Sequence, residues 1–376
     1  MSVINVMFID QSARMGGAEK VLLDLLENVD RSRVNPILVS PSGDLVEKVR
    51  RLNITCIEVK EFEKLETTRK SMKLRDTIEV FMLISKINKI INDIKPDVIF
   101  SNSIKAHVLA NYKKRKVPSI IRLHDYPSSF DGFSLKLLKN ALNKADVVSC
   151  VSQSVANDLG ELMPTNKHKV QVSYNGIYEQ KKVCKDLFKK PRIVVAGWLL
   201  EWKGYDVFVE AMEKIAPSLP EWEFVIAGKP AADAVGSVEY AKSLQERIDS
   251  SKYRDKFVMH GGYKSLDEII CCSEHCIFVQ PSLKPDPLPT VILEASNFSV
   301  PIVASSLGGS KEIIDDKESG ELILPNSDEI AKMVLELAKN IELRYKYGNS
   351  IRTNCASRFS MDKYVGNMTV AIENLI

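Results

Sequence analysis

Two series of short apolar segments, alternating with amphipathic segments, constrain what this chain can fold into. In the first series, apolar runs lie at residues 3–9, 37–40, 98–100, 119–123, 147–151 and 170–173, and stretches with helical spacing lie at 16–29, 77–94, 104–114 and 135–144. Apolar runs bounded by polar residues are typical of strands buried on both faces. The alternation predicts a mainly parallel sheet with helices on both of its faces.

A polar, lysine-rich stretch at residues 177–192 interrupts this rhythm and predicts a linker. A second series follows, with strands predicted at 193–196, 223–227, 256–259, 276–280, 302–304 and 322–324, and helices at 205–215, 238–249, 266–272, 291–297 and 327–339. Residues 361–376 have the spacing of a terminal helix. We predict an α/β fold of two doubly wound Rossmann-like domains, residues 1–180 and 181–358, facing across a cleft. Residues 359–376 would dock back on the N-terminal domain.

The composition is that of an ordinary globular protein long enough for two domains, with 376 residues, 45% hydrophobic and 27% charged. The first ten residues lack the basic start and cleavage site of a signal peptide, and no run of about 18 apolar residues exists, so we expect neither a signal peptide nor a transmembrane helix. Seven scattered cysteines favour a reducing cytoplasm.

Charge is unevenly distributed along the chain. Residues 1–186 hold 30 lysines and arginines against 22 acids, whereas residues 187–376 hold 22 against 27. This imbalance, with basic runs at 64–75 and 113–116, suggests that the first domain faces an anionic surface or substrate. A solvated helix face plus a basic loop is an equal alternative. Nucleic acid is disfavoured, because the runs lack interleaved aromatic residues.

Three glycine turns follow predicted strands and precede helices, at Gly16-Gly17, at Gly197 to Gly204 and at Gly308-Gly309. Glycine lets the backbone approach a ligand, and a helix N-terminus offers N–H groups to an anion. In doubly wound folds, ligands bind at the carboxyl ends of strands, so Lys203 is a candidate phosphate contact. Taken singly, each glycine turn is equally consistent with a bare tight turn. Taken alone, the Lys203 segment favours a surface lysine before a capping glycine.

Carboxylates and a histidine complete the set of candidate residues. A proline-rich loop at residues 281–289 carries Asp286, and an apolar segment after it carries Glu294, so both can face one sugar or ribose. His124 and Asp125 follow the predicted strand at 119–123, where a structural, hydrogen-bonded histidine is equally expected. Cys271, Cys272, His275 and Cys276 fit no zinc-finger spacing and favour a cluster of buried thiols.

Together and in this order, these segments resemble glycosyltransferase family 4. The similar segments are Gly16 to Glu19, His124-Asp125, Val151-Ser152, Tyr174 to Gly176, Gly197 to Gly204, Pro281-Ser282, Asp286 to Glu294, Pro301 to Val303 and Gly308 to Glu312. The resemblance spans nearly the whole chain. It implies a GT-B fold and a retaining transferase that uses a nucleotide sugar.

The sequence departs from the family pattern at three places. Asp286 stands where the first glutamate of the hallmark is usual, and Trp198 stands where an arginine is usual. Pro287-Leu288-Pro289 replaces a Gly-Phe-Gly, and a proline offers no N–H to phosphate. Lys203 would therefore be the main side-chain cation on the diphosphate, helped by helix N-termini and by Thr290.

The resemblance also implies roles for particular residues. Glu294 would hold the ribose, Asp286 the transferred sugar, and Lys203 would meet the leaving diphosphate. His124 would contact the sugar or stabilise an oxocarbenium-like state through its carbonyl or ring. The predicted catalytic residues are His124, Asp286 and Lys203; the donor-binding residues are Gly16, Gly17, Gly197, Trp198, Lys203, Gly228, Tyr263, Asp286, Leu288, Pro289, Thr290 and Glu294; the acceptor-binding residues are Asn102, Asp125 and Asn175. We expect no metal and no cofactor, because no Asp-x-Asp motif is present.

The expected partners are a UDP- or GDP-linked hexose-type sugar and a glycan or lipid-diphosphate acceptor, with no nucleic acid. The expected location is cytoplasmic or peripheral on the inner face of the cell membrane, and surface polysaccharide or glycoconjugate synthesis is the expected role. Two alternatives stay open: a non-catalytic nucleotide-sugar-binding partner subunit, and an inverting transferase or epimerase on the same fold. A two-lobed solute-binding protein is disfavoured by the absence of a signal peptide.

Overall fold

The computed structural model describes residues 2–62, 74–179, 190–231 and 234–376. Contacts divide the chain into two compact units, one formed by Met1–Gly176 with Met361–Ile376 and the other by Ile177–Ser360. The sequence predicted these divisions at residues 180/181 and 358/359. Most of the predicted linker at 177–192, and most of the basic run at 64–75, lies outside the described residues.

The N-terminal unit contains a parallel sheet of seven strands in the order β3-β2-β1-β4-β5-β6-β7. Its strands are β1 (Ile4–Ile9), β2 (Val34–Ser40), β3 (Thr55–Glu58), β4 (Val98–Ser101), β5 (Ser119–Leu123), β6 (Val147–Cys150) and β7 (Val170–Val172). Phe8 of β1 pairs with Leu38 on one side and with Phe100 on the other. The strand order reverses between β1 and β4, which is where ligands bind in such sheets.

Helices cover both faces of this sheet: α1 (Gly17–Asn28), α2 (Asp44–Arg51), α3 (Leu74–Ile94), α4 (Ile104–Asn111), α5 (Gly132–Lys144) and α6 (Gln153–Leu162). Alternate residues of β1 point to opposite faces. Phe8 packs in a core with α1 and α2, whereas Met7 and Ile9 pack in a second core with α3 and α4. Elements α2, β3 and α6 were not predicted from the sequence.

The C-terminal unit contains a parallel sheet of six strands in the order β10-β9-β8-β11-β12-β13. Its strands are β8 (Arg192–Ala196), β9 (Glu223–Ala227), β10 (Phe257–Gly261), β11 (Cys276–Gln280), β12 (Ile302–Ser305) and β13 (Glu321–Ile323). The order reverses between β8 and β11. The segments that follow these two strands carry Gly197 to Gly204 and the proline-rich loop, so the topology brings the two predicted motifs to one edge.

Helices α7 (Tyr205–Ile215), α8 (Ser237–Asp249), α9 (Thr290–Ser296), α10 (Ser310–Ile313), α11 (Ser327–Lys339) and α12 (Ile341–Arg358) surround this sheet. The helix predicted at residues 266–272 is wrong, because only a 3-10 turn at Leu266–Glu268 forms there. Residues 269–273 are buried one after another. The apolar residues here are buried as one continuous segment, whereas a surface helix would bury only one of its sides.

The terminal helix α13 (Met361–Glu373) belongs to the N-terminal unit. Tyr364, Met368 and Ile372 are buried in the same core as Phe8. Gly176 allows the close approach at the return of the chain, since a Cβ there would lie 2.8 Å from the Met361 Cα atom. The chain therefore leaves the N-terminal unit after Gly176 and re-enters it at Met361.

The cysteine-rich segment forms a group of buried thiols, as the sequence favoured. Cys271, Cys272 and Cys276 are free and buried, and the Sγ atom of Cys271 lies 4.0 Å from that of Cys272 and 3.9 Å from that of Cys276. Among the described residues no group of three or more His, Cys, Asp or Glu side chains is arranged to hold a metal. In the same part of the chain, every helix is too short or too polar to cross a bilayer.

Gly348 of α12 gives a test of how tightly this unit is packed. A Cβ at Gly348 would lie 1.8 Å from the carbonyl oxygen of Ser299, which is backbone and cannot move aside cheaply. We expect Gly348→Ala to lower the free energy of unfolding by about 1–3 kcal/mol through overpacking. Denaturant unfolding of the full chain measures this.

The matched control is Gly366→Ala in α13, where a Cβ meets nothing within 4 Å. The same substitution there should raise stability by about 0.5–1 kcal/mol, because alanine is the better helix former. Equal effects of the two substitutions would contradict the close contact between α12 and Ser299.

Candidate active site

Polar residues of the N-terminal unit converge where the strand order reverses. Asp10 follows β1, the Gly16-Gly17 turn begins α1, and Asn102 follows β4. Asp10 is fully buried and Asn102 is 1% exposed. A buried polar group is tolerated only when it is hydrogen-bonded, so these residues must satisfy one another.

Asn102 links Asp10 to His124. Its amide nitrogen donates to the carboxylate of Asp10 at 2.7 Å and to the Ala18 carbonyl oxygen at 3.2 Å. Its amide oxygen lies 2.9 Å from Nε2 of His124. Four predicted residues, Asn102, His124, Gly16 and Gly17, therefore lie at one edge of the N-terminal unit.

A buried arginine sets the electrostatics beside His124. Arg122 is fully buried, donates to Ser149 Oγ at 2.9 Å and to Asn175 Oδ1 at 2.7 Å, and lies over the Tyr364 ring. Burial, together with the charge of Arg122 and of His107, lowers the pKa of His124 well below its usual range. The imidazole is therefore neutral at physiological pH.

The remaining predicted acceptor residues differ in accessibility. Asp125 is exposed, next to half-buried His124. Asn175 is 5% exposed, and its amide oxygen accepts a hydrogen bond from Arg122. In this structure Asn175 therefore holds the buried arginine in place.

Two carboxyl groups at this edge were not among the predicted site residues. Burial raises the pKa of Asp10, and burial followed by the nearby Asp10 raises the pKa of Glu19 to about 7. Glu19 also accepts the Gly16 backbone N–H at 2.9 Å. A sequence signal existed for both, because Asp10 directly ends an apolar strand and Glu19 lies within the Gly-Gly-Ala-Glu motif. Buried carboxyls with raised pKa values are typical of functional sites.

The C-terminal unit brings its charged residues together through a pinned turn. Gly204 has φ +78, and a Cβ there would lie 2.1 Å from the Pro281 carbonyl oxygen. The Leu283 N–H also donates to the Trp202 carbonyl at 2.7 Å. The turn carrying Lys203 is thereby held against the proline-rich loop after β11.

This contact pairs Lys203 with Asp286. The lysine Nζ lies 2.5 Å from Asp286 Oδ2, and the two side chains are 21% and 9% exposed. Lys203 Nζ also lies 4.2 Å from the centre of the Trp202 ring. Because both side chains are largely removed from water, the two charges are held in a fixed orientation.

The second glycine turn of this unit packs on the same loop. The Gly309 N–H donates to the Asp286 carbonyl at 2.8 Å, and a Cβ on Gly309 would lie 2.3 Å from the Pro287 carbonyl oxygen. Leu288 is buried, and Pro289 is the N-cap of α9, which begins at Thr290. The loop carrying Asp286 is therefore held from both sides.

Glu294 and Tyr263 lie close to each other at this edge. Both are half-buried, and the pKa of Tyr263 is raised by burial and then by the charge of Glu294. Gly228 and Gly197 also touch, since a Cβ on Gly228 would lie 2.1 Å from the Gly197 carbonyl oxygen. The close packing of the two strand ends therefore accounts for these glycines without a ligand.

Trp198 and Tyr205 frame the Gly197 turn. Trp198 is 36% exposed, and Lys229 Nζ lies 5.5 Å from the centre of its ring. Tyr205 is fully buried, and its hydroxyl has no hydrogen-bond partner among the described residues. The sequence analysis did not single out this tyrosine, because periodicity does not reveal whether a hydroxyl is paired.

Two family models match adjoining parts of the chain. The model described as Glycosyltransferase Family 4 matches residues 15–181, and the model described as Glycosyl transferases group 1 matches residues 179–354. Together they span nearly the whole chain, with the junction close to the division between the two units.

The chain is also similar to individual proteins. An uncharacterized glycosyltransferase of Methanocaldococcus jannaschii is 24% identical over 70% of both chains. The N-acetyl-alpha-D-glucosaminyl L-malate synthase of Bacillus anthracis is 23% identical over 61% of this chain and 60% of its own. These identities indicate distant relationship.

Solved structures share the fold. The crystal structure of Anabaena HepE in complex with UDP and glucose superposes with a TM-score of 0.80 at 19% identity, covering 98% of this chain and 99% of that one. Sucrose-phosphate synthase from Thermosynechococcus elongatus gives 0.81 at 14% identity, with 99% of both chains covered. The two parallel sheets with flanking helices thus match the GT-B class predicted from the sequence. On the matches of both halves of the sequence, the chain belongs to glycosyltransferase family 4.

Proposed function

We propose that this protein transfers a hexose-type sugar from a nucleoside-diphosphate sugar to a glycan or lipid-linked acceptor, with retention of the anomeric configuration. The observation that carries the proposal is the Lys203–Asp286 ion pair at the strand-order reversal of the C-terminal unit. An ammonium and a carboxylate in contact suit a donor with an anionic diphosphate beside a hydroxyl-rich sugar.

UDP is the favoured carrier. The Anabaena HepE structures hold UDP, UDP with glucose, or UDP-glucose, and a Staphylococcus aureus TarM structure holds UDP. Those ligands belong to those proteins, and here they support the choice of UDP over GDP. Glu294 would bind the ribose hydroxyls, near Tyr263, and the backbone at Gly228 and Gly197 would adjoin the base.

Breaking the bond between the sugar and the diphosphate leaves negative charge on the leaving phosphate. Lys203 would meet this charge, with the Thr290 hydroxyl of the same unit as a further donor. Preorganised donors of this kind usually give the largest catalytic contribution. Asp286 would orient the sugar, and with this cationic set we propose that no metal ion or other cofactor is needed.

Retention would follow from attack on the same face of the sugar that the diphosphate leaves. The leaving phosphate oxygen would accept the proton of the attacking hydroxyl, so that no separate general base is required. His124 is neutral, because its pKa is lowered by burial and by Arg122. It would therefore act through hydrogen bonding to the sugar.

Replacing Lys203 tests the donor site. We expect Lys203→Ala to lower kcat/KM for the nucleotide sugar about 10²–10³-fold, since one preorganised donor to a leaving group contributes roughly that much. It should also abolish the rise in melting temperature that UDP causes. Thermal-shift and product-formation assays with a panel of UDP- and GDP-sugars measure both effects.

Lys214→Ala is the matched control, because Lys214 is also ion-paired in the C-terminal unit, with Asp328 of α11, and is not among the predicted site residues. Unchanged nucleotide binding and turnover in Lys203→Ala would refute the proposed donor site. The anomeric proton coupling of the product separates retention from inversion. Donor cleavage by the purified protein separates an enzyme from a non-catalytic binding subunit.

We propose that the N-terminal unit, which would bind the acceptor, lies on the anionic cytoplasmic face of the membrane. Synthesis of a surface polysaccharide or glycoconjugate would need this location. A groove of about 490 Å³ in the N-terminal unit combines exposed Phe81 and Phe133 with Lys113, Lys136 and Lys144, and none of the described residues that line it is acidic. Phe81 is 49% and Phe133 47% exposed. Exposed aromatic side chains surrounded by lysines are suited to the interface of an anionic bilayer.

Vesicle binding tests this surface. We expect the protein to bind phosphatidylglycerol vesicles more tightly than phosphatidylcholine vesicles. The triple variant Phe81→Ser, Phe133→Ser, Lys136→Glu should weaken that binding roughly tenfold or more, because each cation near the surface contributes about 1 kcal/mol. Sedimentation with vesicles at two salt concentrations measures it.

Leu324→Ser serves as the control for loss of an exposed apolar side chain, since Leu324 is 65% exposed in the C-terminal unit. It should leave vesicle binding unchanged. Equal affinity for neutral and anionic vesicles would remove the membrane proposal without affecting the proposed donor chemistry.

A further inference from the structure

The contacts of Asn102 determine which way its amide points. Its Nδ2 atom lies 2.7 Å from Asp10 Oδ2 and 3.2 Å from the Ala18 carbonyl oxygen. A backbone carbonyl can only accept a hydrogen bond, so the atom facing it must be the amide nitrogen. Asp10 is itself oriented, because its other oxygen accepts the Ser12 N–H at 2.9 Å.

With the amide nitrogen so fixed, the Asn102 oxygen faces His124 Nε2 at 2.9 Å. An amide oxygen has no proton to give, so the hydrogen in this bond belongs to Nε2. A neutral imidazole carries one proton, and Nδ1 is therefore the acceptor nitrogen. Among the described residues, Nδ1 has no hydrogen-bond partner.

Charged and titratable groups around the ring disfavour a second proton. Burial of the ring lowers the pKa of His124 most, and the buried side chains of Arg122 in β5 and His107 in α4 lower it further. On the opposite side, burial raises the pKa values of Asp10 after β1 and Glu19 of α1, which weakens any compensating negative charge. Asn102 is a neutral spacer between the acid and the imidazole.

We infer that Asp10 and Asn102 are positioning residues that hold His124 as the neutral Nε2–H tautomer, so that Nδ1 accepts a hydrogen bond from a substrate hydroxyl. Asp10 acts through Asn102, and neither needs to touch the substrate. The part of this inference that concerns a substrate hydroxyl rests on the proposed glycosyl transfer, whereas the tautomer does not depend on it.

The tautomer is directly measurable. Long-range ¹H–¹⁵N correlation spectra of the full-length protein, labelled with ¹⁵N-histidine, give a separate pattern for each of the five histidines. The variant His124→Gln identifies the signal of His124. We expect a protonated ε2 and an unprotonated δ1 nitrogen, unchanged across neutral pH. A proton on Nδ1 of the wild-type protein overturns the inference without need of any further variant.

Asn102→Leu tests the relay, because leucine has a similar size and no acceptor. We expect the His124 signal to become a mixture of tautomers, and kcat for sugar transfer to fall about 10²-fold with a smaller change in KM, as expected for a misplaced catalytic group. An unchanged tautomer in this variant overturns the role of Asn102.

Asn111→Leu is the matched control. Asn111 is also a buried asparagine of the N-terminal unit, at 3% exposure, and uses both amide groups, accepting from Ser119 Oγ and donating to the His107 carbonyl. Asn111→Leu should leave the His124 tautomer unchanged. A mixture of His124 tautomers in Asn111→Leu would overturn the specific role of Asn102. A fixed tautomer in a protein without transferase activity would support the relay and refute the proposed function.

Discussion

The contact between the Lys203 turn and the proline-rich loop controls the charged edge of the C-terminal unit. Gly204 lies against the Pro281 carbonyl, and no other residue type has both the positive φ and the missing Cβ that this approach needs. Through this contact, the ammonium of Lys203 meets the carboxylate of Asp286, which lies 83 residues further along the chain. The Gly308-Gly309 turn then holds the carboxylate loop from its other side.

The corresponding edge of the N-terminal unit has a different electrostatic character. Its central groups, Asp10, Asn102 and His124, form a hydrogen-bonded chain, and burial shifts both titratable members towards their neutral forms. Arg122 supplies a buried positive charge beneath them, held by Ser149 and Asn175 and by the Tyr364 ring. Neutral, oriented dipoles suit the recognition of hydroxyl groups, whereas the ion pair of the C-terminal unit suits a diphosphate.

The departures from the family pattern have physical consequences in this structure. Asp286 is one methylene shorter than glutamate, and it still reaches Lys203 because both segments are pinned by glycine contacts. Pro289 lacks an N–H, but as the N-cap of α9 its carbonyl oxygen still accepts the Ile292 N–H. The terminal helix α13 completes the N-terminal core with Tyr364 and Met368, so the chain end contributes to the unit that contains the buried arginine.

The sequence by itself determined the fold class and most elements, because a buried parallel strand needs an apolar run and a covering helix needs an apolar stripe. It also located the glycine turns, Lys203, Asp286 and His124, since each follows a strand end. Only the tertiary structure decided that Lys203 pairs with Asp286, that Asn175 supports Arg122, and that Asp10 and Glu19 are buried beside each other. Such pairings depend on which strands become neighbours and on how far water is excluded. The periodicity of one segment reveals neither its neighbouring strands nor its exclusion from water, because burial and charge compensation depend on several segments at once.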